Sequence, residues 1–172
     1  MHKKKDSKNI VEQFLGLFTE VRAGEGITSL LLTVNIFLIL TAYYIVKPVR
    51  EGLILSGSGA EVKSYLAAVL VFVLIGTVKL FSYLASNYPR KQLINIVTLF
   101  FVACLGVFYI LGKIGVPYLD IIFFVWIGTY GVMIPAQFWG FANDIYTPET
   151  GKRLFVIIAF GGGLGAILGT II

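Results

Sequence analysis

The stretch ITSLLLTVNIFLILTAYYIVKPVREGLIL, Ile27 to Leu55, decides the fold. No charged residue interrupts it from Ile27 to Val46, and a helix of about 20 apolar residues crosses the roughly 30 Å hydrocarbon core of a bilayer. Lys47, Pro48, Arg50 and Glu51 then arrive together, and the apolar pattern resumes at Leu53–Leu55. Two readings follow. A helix ending at Lys47 spans roughly 28 Å from Thr28, so the lysine snorkels at the far face and the charges are ordinary flanks. A helix continued through Leu55 adds roughly 12 Å and holds Lys47 and Arg50 in the outer third of the membrane. On that longer helix Lys47, Arg50 and Glu51 share one face at i, i+3 and i+4. Pro48 would release the carbonyl of Tyr44 and kink the helix, as happens where a helix lines a cavity.

Composition agrees with a membrane protein. Apolar residues make up 58% of the 172-residue chain and charged residues 13%, against about 25% charged in a soluble domain. Such a chain has too little polar surface to cover itself in water. The net charge of +5 comes without a basic–aromatic motif and is concentrated locally, so it is read as membrane topology, with no nucleic-acid partner. Cys104 is the single cysteine and excludes an internal disulfide. The opening residues, MHKKKDSKNIVEQFLGLFTEV, lack the apolar core and small-residue cleavage site of a signal peptide.

Outward from the first span, Val11, Phe14, Leu15, Leu17, Phe18 and Val21 fall near helical spacing. They predict a short amphipathic helix at the membrane surface, which with the basic tail forms a region 1–26. Thr28 or Ser29 is positioned to cap the span that follows. Four further apolar spans are predicted, at about Tyr65–Ser86, Leu93–Leu111, Leu119–Ala142 and from Leu154 to the end. The connections LSGSGAEVK, SNYPRK, GKIGVPY and NDIYTPETGK carry turn residues. The segments are too long and too uniformly apolar for the strands of a β-barrel. The expected fold is therefore all-α, a polytopic helical membrane protein with about five transmembrane helices in region 27–172. The fifth span runs out on GTII without a polar tail, which predicts an N-terminal portion of a larger protein completed by remaining helices. With the N-terminus inside, nine basic residues lie on the inner side: Lys3, Lys4, Lys5, Lys8, Arg22, Arg90, Lys91, Lys152 and Arg153. Only Lys63 and Lys113 lie outside, or four residues if Lys47 and Arg50 are added, so the N-terminus is predicted to be cytoplasmic.

Polar groups within spans are costly, about 2.5–3.5 kcal/mol for a charge at the helix centre, and are functional candidates for that reason. Lys79 lies in the second span, close enough to the inner loop to snorkel or to serve substrate. Tyr130, Gln137 and Asp144 recur every seven residues as a polar stripe; Gln137 fits either an interhelical hydrogen bond or a substrate path. Gly161, Gly165 and Gly169, in GGGLGAILG, repeat at every fourth residue and predict a smooth face for close helix packing. That stretch is no phosphate loop, because it lacks the Lys-Ser or Lys-Thr pair and a leading strand. The lone His2 sits in the basic tail, and no catalytic-triad, zinc or carboxylate-dyad spacing is present. The chain is read as a non-enzyme without cofactor or metal.

Two stretches carry a resemblance. AYYIVKPVREGLIL followed by GSGAEVKSYL resembles the first-helix signature of the nucleotide transporter family, the ATP:ADP antiporters of plastids and intracellular bacteria. FWGFANDIYTPETGKRLFVIIAFGGGLGAILG resembles its second signature, and the hexapeptide Phe138–Asn143 is its most specific part. These transporters are distant members of the major facilitator class with twelve helices; the likeness runs from about Gly24 to the end and implies helices one to five of the N-terminal half, in a bacterial inner membrane. It implies exchange of ATP and ADP by alternating access, with Lys47, Arg50, Glu51, Tyr43, Gln137, Asn143, Asp144 and Lys79 as substrate-binding candidates. Three departures stand out. Lys47 occupies the family's Arg position and Arg50 its substrate-linked Lys position, and Glu51 replaces an Asp. The family's acidic residue in the fourth helix corresponds to Ile127. A carrier for another organic anion, or a non-transporting membrane scaffold or sensor, are the alternatives; the missing acid favours the scaffold and the retained charge cluster opposes it.

Overall fold

A computed structural model describes residues 12, 13, 16, 19–22 and 24–172. The basic tail and Val11, Phe14, Leu15, Leu17 and Phe18 of the expected amphipathic helix lie outside the described residues. Five long helices follow: α1 (Gly26–Gly57), α2 (Gly59–Asn87), α3 (Arg90–Ile114), α4 (Leu119–Ile145) and α5 (Pro148–Ile171). Their lengths of 32, 29, 25, 27 and 24 residues all exceed the about 20 that a bilayer requires. Each carries an apolar window of membrane length. The chain is an all-α, polytopic helical membrane protein.

The helix boundaries resolve the choice posed by Ile27–Leu55. α1 continues through Pro48 to Gly57, so the longer reading holds and Lys47, Arg50 and Glu51 stand inside the helix. Its start lies a little before the expected cap. Ser29 does not cap; its amide donates to the Glu25 carbonyl over 3.1 Å, and its hydroxyl donates to the same oxygen over 2.9 Å. Only Ser58 separates α1 from α2, so most of the expected loop LSGSGAEVK is helical. Ala60–Lys63 continue as the first turn of α2, with Glu61 placed where an acid suits the helix dipole. Lys63, counted above as a loop residue, is therefore a helical one. α3 ends at Gly115, whose φ of 73° is left-handed, a conformation that glycine adopts at no steric cost. Thr147 caps α5 by accepting from the Thr150 amide, and Pro148 occupies the first turn.

The helices fall into two compact units, one of residues up to Tyr44 with Phe138–Ile172, the other Ile45–Gln137. In the first, Leu32, Ile36, Phe138, Ala142 and Ile158 form the core. The glycine face of α5 lies on α1 there. A Cβ added to Gly161 would come 2.9 Å from the Thr33 carbonyl oxygen, and one on Gly169 would come 2.5 Å from that of Thr41. At Gly165 it would run into the Phe37 carbonyl, so only glycine permits this approach of two backbones. The Thr41 hydroxyl donates to the Phe37 carbonyl of its own helix over 2.8 Å and lies 3.2 Å from the Gly165 carbonyl, so its one proton is at most shared between the two helices.

The N-terminal approach to α1 is fastened in this unit as well. Val21 is buried against Leu154 and Ile157. Arg153 donates to both Glu25 carboxylate oxygens, at 3.0 and 3.3 Å, and to the Glu20 carbonyl. In return the Thr19 hydroxyl donates to the Arg153 carbonyl over 3.0 Å. Since Ser29 spends its one proton on Glu25, the Tyr146 hydroxyl, 3.0 Å away, donates to Ser29.

In the second unit Ile54, Leu66 and Phe124 pack together with Val62, Ile121 and Val125 at their edge. Deeper along α3 and α4 the rings of Phe101, Phe108, Phe123, Trp126 and Tyr130 interlock. Those of Phe123, Trp126 and Tyr130 lie within 20° of parallel, as their i, i+3, i+7 spacing on one helix face allows.

Candidate anion site

The apolar cluster of Ile54, Leu66 and Phe124 sets the geometry of the charges beside it. Arg50 and Glu51 stand one turn before Ile54 on α1, and Lys63 stands one turn before Leu66 on α2. Side chains three and four apart share a helix face, so packing Ile54 on Leu66 brings the charged neighbours together. Arg50 pairs with Glu51 through Nη2 and Oε1. Lys63 Nζ lies 2.5 Å from Glu51 Oε2. A single carboxylate thus bridges two cations drawn from two helices.

Arg50 is the most enclosed of the three, its side chain 12% exposed against 27% for Glu51 and 39% for Lys63. Its guanidinium carbon sits 4.5 Å over the centre of the Phe124 ring on α4, an arrangement worth about 0.5–2 kcal/mol. The Nε–H of Arg50 is buried without an acceptor among the described residues. A guanidinium presents its donors in a flat fork suited to carboxylate or phosphate oxygens, and here one tine is unused. The turn that carries these groups is pinned to α4, because the Ser58 hydroxyl donates to Asp120 Oδ2 over 2.5 Å.

No protein-family model matches the chain, and neither a curated protein nor a solved structure matches it.

The remaining candidates are dispersed. Lys47 lies half-buried one turn before Arg50. Gln137 is 4% exposed and its Oε1 has no hydrogen-bond partner among the described residues. Lys79 is exposed on α2, about 24 Å along that helix from Lys63 at 1.5 Å per residue, and so outside the Arg50 cluster. Tyr43, Asn143 and Asp144 belong to the first unit. There Tyr43 meets Tyr44 edge to face at 5.4 Å, and the exposed Asn143 lines a cavity of about 440 Å³ with Tyr146, Thr147, Gly151, Lys152 and Phe155. Ile127, where the resemblance would put an acid, is 1% exposed. Among the described residues no cluster of His, Cys, Asp or Glu is arranged to hold a metal.

Sequence reading missed two members of the cluster. Lys63 was hidden by the turn residues before it, although Leu66 three positions later marks a helix face turned inward. Phe124 is one aromatic among many in FFVW, and nothing in its local pattern singles it out.

Proposed function

We propose that the protein is a secondary transporter of organic anions, of the nucleotide-exchanging type that its two signature stretches resemble. The observation that carries this reading is the enclosed Arg50, paired with Glu51 beside an apolar cluster in a membrane-length helix, with its Nε buried without an acceptor among the described residues. A buried donor without an acceptor is costly, and an ionisable residue inside a membrane-length helix is a functional candidate for that reason. Arg50 supplies forked hydrogen bonds to a phosphoryl group, and Lys47, a turn away, adds a point charge. Rocking of helical units exposes the site to either side in turn. The N-terminus faces the cytoplasm in this reading, as the positive-inside count supports.

Uptake of labelled ATP and ADP into liposomes carrying the purified protein tests the proposal. Wild type is expected to exchange the two, and Arg50→Ala to lose about ten- to hundredfold in rate, as removal of a charged hydrogen bond of about 1.5–3 kcal/mol implies. Lys47→Ala should lose less, because a point charge is more readily replaced by solvent. Equal uptake by both variants and wild type would remove the two residues from the mechanism. Exchange of other organic anions but not nucleotides would move the reading to a carrier of those anions.

A further inference from the structure

We infer that Glu51 is a built-in competitor for the anion: its carboxylate occupies, between Arg50 and Lys63, the position that a phosphoryl group takes, so that binding displaces it. The inference rests on the transporter reading and adds Lys63 as a residue that receives the substrate.

Three observations lead to it. One Glu51 oxygen is hydrogen-bonded to Arg50 and the other lies within ion-pair distance of Lys63, so the carboxylate stands between an arginine and a lysine as a phosphoryl group can. The carboxylate satisfies that bridge incompletely, since among the described residues Arg50 Nε–H is buried without an acceptor and Glu51 Oε2 is buried without a hydrogen-bond donor. A phosphoryl group has a third oxygen, enough to accept from Nε as well as from Nη2 and Nζ. The exposures also rank in the required order. Arg50, held on the Phe124 ring, stays in place, whereas Glu51 and Lys63 keep open edges through which the carboxylate can leave and an anion can approach.

With Glu51 in place the three groups carry a net charge of +1; with it withdrawn the anion meets two uncompensated cations. An empty site therefore neutralises much of its own charge in apolar surroundings, where an unpaired cation is costly. Affinity is reduced by the fraction of time the site is open. Release of one anion is coupled to the return of Glu51, and arrival of the next to its departure, which suits exchange better than one-way leak.

Binding of pyrophosphate, and of ATP in a parallel arm, to the purified full chain in lipid nanodiscs tests this by calorimetry. Glu51→Gln, which keeps shape and removes charge, is expected to tighten pyrophosphate binding about tenfold. Adding Lys63→Met to that variant should abolish most of the gain, since the anion then loses the cation that α2 supplies. Glu51→Asp, whose fold is the least disturbed, should fall between wild type and Glu51→Gln. Unchanged or weaker binding in Glu51→Gln overturns the inference, and retention of the whole gain in the double variant overturns the bridge to Lys63. An Arg50→Ala control separates the two levels: loss of binding there alongside an unimproved Glu51→Gln leaves the transporter reading standing and removes only the competitor. Wild-type binding in Arg50→Ala removes both. A gain with pyrophosphate but none with ATP would assign the site to inorganic anions.

Discussion

Glu25 and Arg153 show at the scale of single residues how a charge pair works outside the spans. Partial burial by itself raises the Glu25 carboxyl pKa. The Arg153 hydrogen bond, the Arg22 amide and the charges of both arginines outweigh that effect and hold it below the usual value of 4.5. A lowered folded value means that the contribution to stability is complete above the unfolded value and disappears as pH falls through the folded one. Thermal unfolding of wild type and Glu25→Gln in detergent should accordingly differ by a constant amount from pH 7 to about 5. The gap should close on acidification below the ordinary glutamate range. A gap that persists unchanged at pH 3 would show that the carboxylate charge has no part in tying Glu25 to Arg153. Arg50 contrasts with Arg153. Arg153 directs both Nη groups to Glu25 and the Glu20 carbonyl, while Arg50 pairs with Glu51 through Nη2 and holds its Nε buried without an acceptor among the described residues.

At the scale of the element, α5 carries the clearest consequence of sequence for packing. Gly163 and Gly165 are two residues apart in one helix, yet a Cβ at Gly163 meets nothing within 4 Å, whereas at Gly165 it runs into the Phe37 backbone. Backbone cannot rotate aside as a side chain can. Gly165→Ala should therefore destabilise by about 1–3 kcal/mol, and Gly163→Ala should be neutral or stabilising by up to about 1 kcal/mol through helix propensity. Melting curves of the two variants in the same detergent measure the difference. Equal behaviour of the pair would mean that α5 does not rest on α1 through this face. α1 and α4 each retain an internal proline, Pro48 and Pro135. Both continue through it, because loss of one hydrogen bond is tolerated where neighbouring groups or cavity water can meet the freed carbonyl.

For the whole molecule, five successive membrane-length helices place alternate connections on opposite sides of a bilayer. Tyr88, between α2 and α3, and Tyr118, between α3 and α4, are both exposed. In a Cys104→Ser background, Tyr88→Cys should react with an impermeant thiol reagent from the cytoplasmic side and Tyr118→Cys from the opposite side. Labelling of both from one side would overturn the alternation. Reversed labelling would preserve the spans and invert the orientation that nine basic residues against two predict.

Much of the fold was legible because the rule behind it is local: in hydrocarbon each backbone polar group must be bonded within its own segment, so long apolar stretches become helices. Span number, turn composition and the glycine repeat all follow from spacing along the chain. The length of α1 did not, since a proline and three charges read equally well as an end or an interior. That was settled by Ile54, which is buried against Leu66 and Phe124. The candidate site was half legible. Lys47, Arg50 and Glu51 announce themselves as charges in an apolar run, but Lys63 and Phe124 enter only through the packing of α2 and α4 on the end of α1. A bridge between cations on two helices is a property of distance through space, and sequence by itself orders residues only along the chain.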